Sequence, residues 1–302
     1  MSGQLSGTDD VPGTAAPLAE RATRWRRRLP AGLPAAGPDL LVALDIDGTL
    51  LTHDGELAEE VTSAVADLDA SGARVVLSTG RSLQAVTPVA AQLGLTSGWA
   101  VCSNGAVVIR LDPDLEDGHE ITDVVTFDPG PTLRLLREEL PDGLFAVEDL
   151  GRGFKVTAPF PMGELTGDVE VVDFEDLLHA PATRVTLRAP HLASADFHAL
   201  VQRVGLHGVS YAVGWTAWLD ISPDGVSKAS ALETLRGRLD VADGATVAVG
   251  DGSNDLEMLG WAAHGVAMGN AGPDVVAAAD AVTDAVGDHG AAVVLRALLA
   301  AR

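Results

Sequence analysis

Cysteine is almost missing from this chain: Cys102 stands alone, so no disulfide forms within it, and the composition fits a reducing interior. Lysine is nearly as scarce, since only Lys155 and Lys228 among the 20 basic residues are lysine. A lysine kept against that bias marks either a site that needs a compact ammonium or a surface position filled by chance. Aromatic residues make up only 4% of the chain, which leaves a core built of Ala, Val and Leu. No apolar run reaches membrane-spanning length, and none follows the early arginines as a secretion signal requires, so a cytoplasmic protein is expected. Positive charge is the largest deficit: 20 Lys and Arg stand against 43 Asp and Glu, a net charge of −23. Such a surface repels nucleic acid and anionic membrane, and neither is expected as a partner. Phosphate esters are repelled too at long range, so a phosphate site must reverse the sign locally.

What is present fits two modest domains, or one domain with a large insertion: 302 residues, 47% of them hydrophobic. Residues 1–38 are rich in Gly, Pro, Ala and Ser and carry Arg21, Arg24, Arg26, Arg27 and Arg28. They read as a flexible tail with one short helix at 17–28, its arginines either solvated or docked on acidic surface. From Leu40 the rhythm is strand, helix (57–71), strand (74–77), helix (82–93), strand (99–102), the start of a doubly wound α/β fold. From Asp112 short alternating runs with two helices predict a separate α+β unit through 216. The α/β rhythm returns with a helix at 227–239, a buried strand at 246–249 and further helices to the end. The second unit therefore interrupts the first.

Four patches sit at strand ends or helix starts. The apolar run Leu40–Leu44 ends in Asp45-Ile46-Asp47-Gly48-Thr49, two carboxylates one residue apart that leave an extended strand on the same side. Open α/β sheets place ligands at the carboxyl ends of their strands. The pair reads as a metal site, as a nucleophile with a proton donor, or as a polar strand end capping the next helix. Ser78-Thr79-Gly80-Arg81, Lys228, and Gly250-Asp251-Gly252-Ser253-Asn254-Asp255 complete the set. Taken singly, they read as a helix cap, a surface lysine and a tight acidic turn.

As a set they describe phosphoryl chemistry. A carboxylate can attack phosphorus and split hydrolysis into two displacements. Asp45, Asp251 and Asp255 beside a phosphate would repel one another by about 4 kcal/mol per pair at 4 Å in a medium of effective dielectric 20. A hard divalent cation with oxygen ligands removes that cost. Thr79, backbone N–H groups near Gly48 and Gly80, and Lys228 would hold the phosphoryl oxygens, with Asp47 as acid and base.

From Leu40 onward these residues resemble the haloacid dehalogenase-like phosphatases, in particular the Cof-type branch with a C2-type cap inserted between the second and third motifs. Asp45-Ile46-Asp47-Gly48-Thr49-Leu50-Leu51 is similar to the first motif, Ser78–Arg81 to the second and Lys228 to the third. Gly250–Asp255 with Met258-Leu259 is similar to the fourth, and Val266–Ala271 to the segment after it. The resemblance implies that Asp45 is the nucleophile and Asp47 the acid/base. It implies Mg2+ on Asp45, the backbone carbonyl of Asp47 and Asp251, with Asp255 close by. Asn254 would join Thr79, Gly80 and Lys228 around the phosphate.

The expected fold is a doubly wound, mostly parallel Rossmann-like core at 39–111 and 217–302, with an α+β cap at 112–216 and hinges near 111 and 216. Lys155 and Asn104 are the named candidates for substrate contact, with Arg152, Glu148 and Trp218 behind them. His53, His119, His179, His191 and His264 show no metal spacing. The expected activity is Mg2+-dependent hydrolysis of a small phosphorylated metabolite by a monomer or weak homodimer. A phosphotransferase or mutase on sugar phosphates would use the same patches. A non-catalytic phosphometabolite-binding protein would carry a damaged motif, and all four are intact.

Overall fold

A computed structural model describes residues 16–52, 54–214 and 216–301. The chain begins with α1 (Leu18–Trp25), β1 (Leu41–Leu44), α2 (Glu59–Ala70), β2 (Arg74–Ser78), α3 (Leu83–Gln92), β3 (Gly98–Cys102), β4 (Val107–Leu111) and β5 (His119–Val124). A middle stretch holds α4 (Gly130–Glu139), β6 (Leu144–Asp149), β7 (Gly153–Val156), β8 (Asp168–Val171), β9 (Val185–Arg188), α5 (Ser194–Val204), β10 (Val209–Val213) and β11 (Trp218–Pro223). It closes with α6 (Lys228–Arg238), β12 (Thr246–Gly250), α7 (Leu256–Trp261), β13 (His264–Ala267), α8 (Pro273–Ala278), β14 (Ala281–Val282) and α9 (Gly290–Leu299).

Eight strands form one sheet in the order β14-β13-β12-β1-β2-β3-β4-β5. It is parallel from β14 to β3 and antiparallel through β4 and β5. β1 is central, and all four of its residues are buried because helices cover both faces. Alternation along the strands divides the core in two. Val42, Leu44, Leu77, Val247 and Val249 pack on the side of α2, α3 and α9, while Leu41, Ala43, Val76 and Ala248 pack on the side of α6, α7 and α8. Helix α2 shows why: Val61, Ala64, Val65 and Leu68, at helical spacing, are its buried residues. The chain winds outward from β1 through β2 and β3, then returns to β12 on the other side. The strand order therefore reverses between β1 and β12, where an open α/β sheet opens a crevice.

Six strands form a second sheet in the order β10-β11-β9-β6-β7-β8. One face is covered by α4 and α5 over Phe145, Val147, Val185, Leu187, Leu219 and Ile221. The alternate positions Glu148, Thr186 and Asp220 face the larger sheet's carboxyl edge.

Three expectations need correction. β5 pairs with β4 in the large sheet, so that part of the core runs past 111 to about 126. β11 pairs with β9 and β10, so the cap runs past 216 to Pro223. The chain crossings accordingly lie near 125–127 and 223–226, not at 111 and 216; hydrophobic alternation cannot say which sheet a strand joins. Nor do residues 16–38 form a flexible tail. Trp25 is buried in the main core and meets His264 edge-on at 5.9 Å, and Arg21 pairs with Asp284 at 2.7 Å. Arg28 also donates to the Val282 carbonyl. Arg21 thus docks on the chain's own acidic Asp284, and Arg28 on a backbone carbonyl of the neighbouring edge strand. The more N-terminal residues and His53 lie outside the described residues. No helix among the described residues is long and apolar enough to cross a membrane.

Candidate active site

Each motif leaves a strand end or opens a helix at the crevice between β1 and β12. Asp45 follows β1, Thr79 follows β2 and Asp251 follows β12. Lys228 is the first residue of α6, where the helix N-terminus disfavours a cation. It is placed there by a capping box, with Ser227 accepting from the Ser230 N–H and Ser230 accepting from the Ser227 N–H. The turn after β3 seats that helix. Gly105, at φ +102°, packs so tightly on Ser227 that a Cβ would lie 2.2 Å from its carbonyl oxygen.

Lys228 is fully buried, and its Nζ donates to Asp45 Oδ1 and Asp255 Oδ1, each at 2.6 Å. Burial alone would lower its pKa; the charges of Asp255 and Asp45 override that and hold it above the usual lysine range. The other Asp255 oxygen accepts from the backbone N–H groups of Asp251 and Gly252, both at 2.9 Å. Asp255 thus orders both the lysine and the acidic turn. Thr49 donates to Asp251 Oδ1 at 3.1 Å, and Asn270 donates to Asp251 Oδ2 at 3.1 Å and to the Gly48 carbonyl at 2.9 Å. Gly48, at φ +80°, is required here, since a Cβ would stand 2.2 Å from Asp251.

Asp45, Asp251 and Asp255 are buried and offer oxygen atoms within 4.8 Å of one another. One ammonium does not balance three carboxylates. Burial first, then the charge of Asp255, raises the pKa of Asp45 well above its ordinary value. The same causes push Asp251 up to about 7. A buried, hard-oxygen donor set in electrostatic debt suits a divalent cation.

Asp47 stands apart from that cluster. It is half-exposed, and Arg81 grips both its oxygens, at 2.8 and 2.6 Å. Thr79, Gly80 and Asn254 line the same cleft of about 960 Å3 as Asp45, Asp47 and Asp251. Asn104 accepts from Asn254 at 3.0 Å and lies beside Gly80. It braces Gly80 and Asn254, in the left-handed conformation at φ +53°. Lys155 is not brought to the cleft. Phe154 lines it, so the next residue along β7 points to the opposite, helix-covered face. Of the other cap candidates, Trp218 lines the cleft, and Glu148 is buried, accepting from Ser103 at 2.7 Å and Thr183 at 2.9 Å.

The sequence reading missed Arg184, Asp220, Asn270 and the role of Arg81. Arg184 reaches from the cap to donate to the Gly80 carbonyl, and Asp220 lines the cleft. For Arg81 the signal was present, a cation directly after Ser-Thr-Gly. For Arg184 nothing in the sequence marked one arginine among the others.

A sequence profile for haloacid dehalogenase-like hydrolases matches residues 42–126 and 163–295. Phosphatase YwpJ of Bacillus subtilis is 28% identical over 289 residues, covering 86% of this chain and 99% of that protein. The 5-amino-6-(5-phospho-D-ribitylamino)uracil phosphatase YitU of the same organism is 30% identical over 243 residues, covering 76% and 86%. Among solved structures, BT1666 of Bacteroides thetaiotaomicron, from a study of phosphatases of this superfamily, superposes with a TM-score of 0.69. It is 25% identical, with 89% of this chain and 97% of that one covered. The chain belongs to the haloacid dehalogenase-like hydrolase family. It is an enzyme of that family, a phosphatase like the relatives it matches.

Proposed function

We propose that this phosphatase hydrolyses small phosphate monoesters through an aspartyl-phosphate on Asp45, with Mg2+ as its cation. The observation that supports this best is the meeting of Asp45, Lys228 and Asp251 at the point where strand order reverses. Asp45 Oδ2 attacks phosphorus as the ester P–O bond breaks, and Asp47 gives its proton to the departing alkoxide. Asp47 then takes a proton from water; the water oxygen bonds to phosphorus and the bond to Asp45 breaks, freeing phosphate. Since both Asp47 oxygens accept from Arg81, proton donation requires Asp47 to exchange that partner for the ester oxygen. Lys228, Thr79, Gly80 and Asn254 surround the position the phosphate takes. Asp45 and Asp251 would hold the magnesium ion, with the Asp47 carbonyl, and Asp255 would support them. The ion supplies charge neutralisation for the phosphoryl oxygens.

The cap closes the cleft from above and limits water around the reacting atoms. The buried lone Cys102 and the apolar-span deficit favour a cytoplasmic setting, and the acidic surface favours a monomer or weak homodimer. The test is phosphate release from a panel of monoesters with and without Mg2+. Asp45→Asn should abolish turnover while leaving the circular dichroism spectrum and Tm near those of the wild type. A variant that hydrolyses esters at the wild-type rate would remove Asp45 from the mechanism.

A further inference from the structure

The matched family region begins at residue 42, so helix α1 stands outside it, yet α1 grips the loop that supports the acidic turn. Strand β14 is two residues long and forms one edge of the large sheet. Its Val282 carbonyl accepts from Arg28 and, at 3.4 Å, from the Trp25 indole N–H. The loop that follows carries Asp284 and Asp288 in a chain of net charge −23. Arg21 Nη1 donates there twice, to Asp284 Oδ2 and to the Asp288 carbonyl, both at 2.7 Å. The Arg21 side chain is 15% exposed, against 61% for Arg24 on the same helix. Its ion pair is therefore screened less than one on the open surface.

From that loop the contacts run inward. The Val286 N–H donates to Asn270 Oδ1 at 2.8 Å. That bond orients the amide: its oxygen must face Val286, so its NH2 group faces Asp251 and the Gly48 carbonyl. With the amide reversed, an oxygen would face the Asp251 carboxylate. The Gly269 N–H also donates to the Asp284 carbonyl at 3.1 Å. Packing leaves the loop little room to shift. A Cβ on Gly269 would lie 2.7 Å from the Ala285 nitrogen, and one on Gly290 would lie 1.9 Å from the Asp284 carbonyl oxygen. The loop and the Asn270 turn form one close-packed unit, and close-packed groups pass a displacement on to their neighbours.

We propose that Arg21 is a positioning residue for the metal site: through the 284–288 loop and Asn270 it sets Asp251 for the cation. The inference rests on the Mg2+ reading above and adds to it an element that holds none of the four motifs. Partners that orient a metal ligand directly change metal affinity by about 10–100-fold when removed. Arg21 acts from further out, through Asn270, so its removal should have a smaller effect in the same direction.

Calorimetric titration of Mg2+ alone into the metal-free protein at pH 8 reads this without turnover. Arg21→Met should raise the Mg2+ Kd about threefold or more. Arg21→Lys should return it close to the wild-type value, because a single nitrogen makes both bonds to the loop. In phosphate release, Arg21→Met should raise the half-saturating Mg2+ concentration by the same factor, with kcat at saturating Mg2+ little changed. Leu68→Ala, a core truncation on α2, should lower Tm and leave the Mg2+ Kd near wild type. In an Asn270→Ala background Arg21→Met should add nothing, as for two residues on one line of contacts. Asp284→Ala breaks the same link from its half-exposed side and should act as Arg21→Met does, whether or not that variant folds. A wild-type Kd in both Arg21→Met and Asp284→Ala overturns the proposal, as does an Arg21→Met effect that persists in full without Asn270. So does an equal rise in Kd in Leu68→Ala, which would make the effect one of general destabilisation. A wild-type protein that takes up no Mg2+ overturns the metal reading itself, and this inference with it.

Discussion

Lys228 is the residue on which the charge balance of the site turns. It is one of two lysines, and its ammonium stands at 2.6 Å from two buried carboxylates. Removing one partner of a buried ionic cluster leaves like charges without compensation, which costs about 3–5 kcal/mol. Lys228→Met should therefore lower unfolding stability in urea by that order, and millimolar Mg2+ should recover part of the loss. A variant as stable as wild type would mean that the carboxylates balance their charge without the lysine. Its scarcity in the composition pointed to it. Lys155 carried the same signal and lies on the wrong face of its strand. Composition marks a chemical need, and only the strand's facing direction says whether the side chain meets it.

Helix α1 tests the element scale. Residues 16–38 carry no active-site motif and lie outside the matched family region, yet they are not loosely attached. Trp25 is 6% exposed within the main core, and Arg21 ties the helix to Asp284. An arginine-rich, Gly- and Pro-bearing stretch looks solvated in one dimension because its partners are about 260 residues away. Truncating a buried tryptophan costs about 3–5 kcal/mol. Trp25→Ala should lower the urea midpoint accordingly, with kcat at 25 °C little changed, because Trp25 does not line the cleft. A midpoint equal to wild type would show that the helix contributes nothing to the fold. The chain crossings teach a similar lesson. β11 was legible as a strand and β5 was not, and the sheets of both were decided by pairing partners that local alternation does not encode.

At the scale of the molecule, the acidic excess and the buried carboxylate cluster couple stability to pH and to metal. Asp251 is raised from its ordinary 3.8 to about 7 by burial and by Asp255, and Asp45 is raised in the same direction. A raised carboxyl binds its proton more tightly in the folded state than in the unfolded chain. The metal-free protein should thus lose stability as pH climbs from about 4 to about 7, with Asp251 alone worth on the order of 4 kcal/mol. A cation that binds only the folded, ionised site restores it. Thermal unfolding without metal should show Tm falling between pH 5 and pH 8. Added Mg2+ should raise Tm by several degrees at pH 8 and by much less at pH 5. Equal Mg2+ shifts at both pH values would place the ion away from these carboxylates.

The sequence by itself determined the alternating strand and helix order, the interruption by a second unit and the four chemical patches. Those depend on local periodicity and on residue types that must stand near one another in the chain. The tertiary structure alone decided which arginine leans from the cap onto Gly80 and which carboxylates of β11 and the cap loop line the cleft. It also decided that Arg81 holds Asp47 and Asn270 holds Asp251. Each of those contacts joins residues far apart in sequence, and their geometry comes from sheet order and strand facing, which no stretch of chain carries on its own.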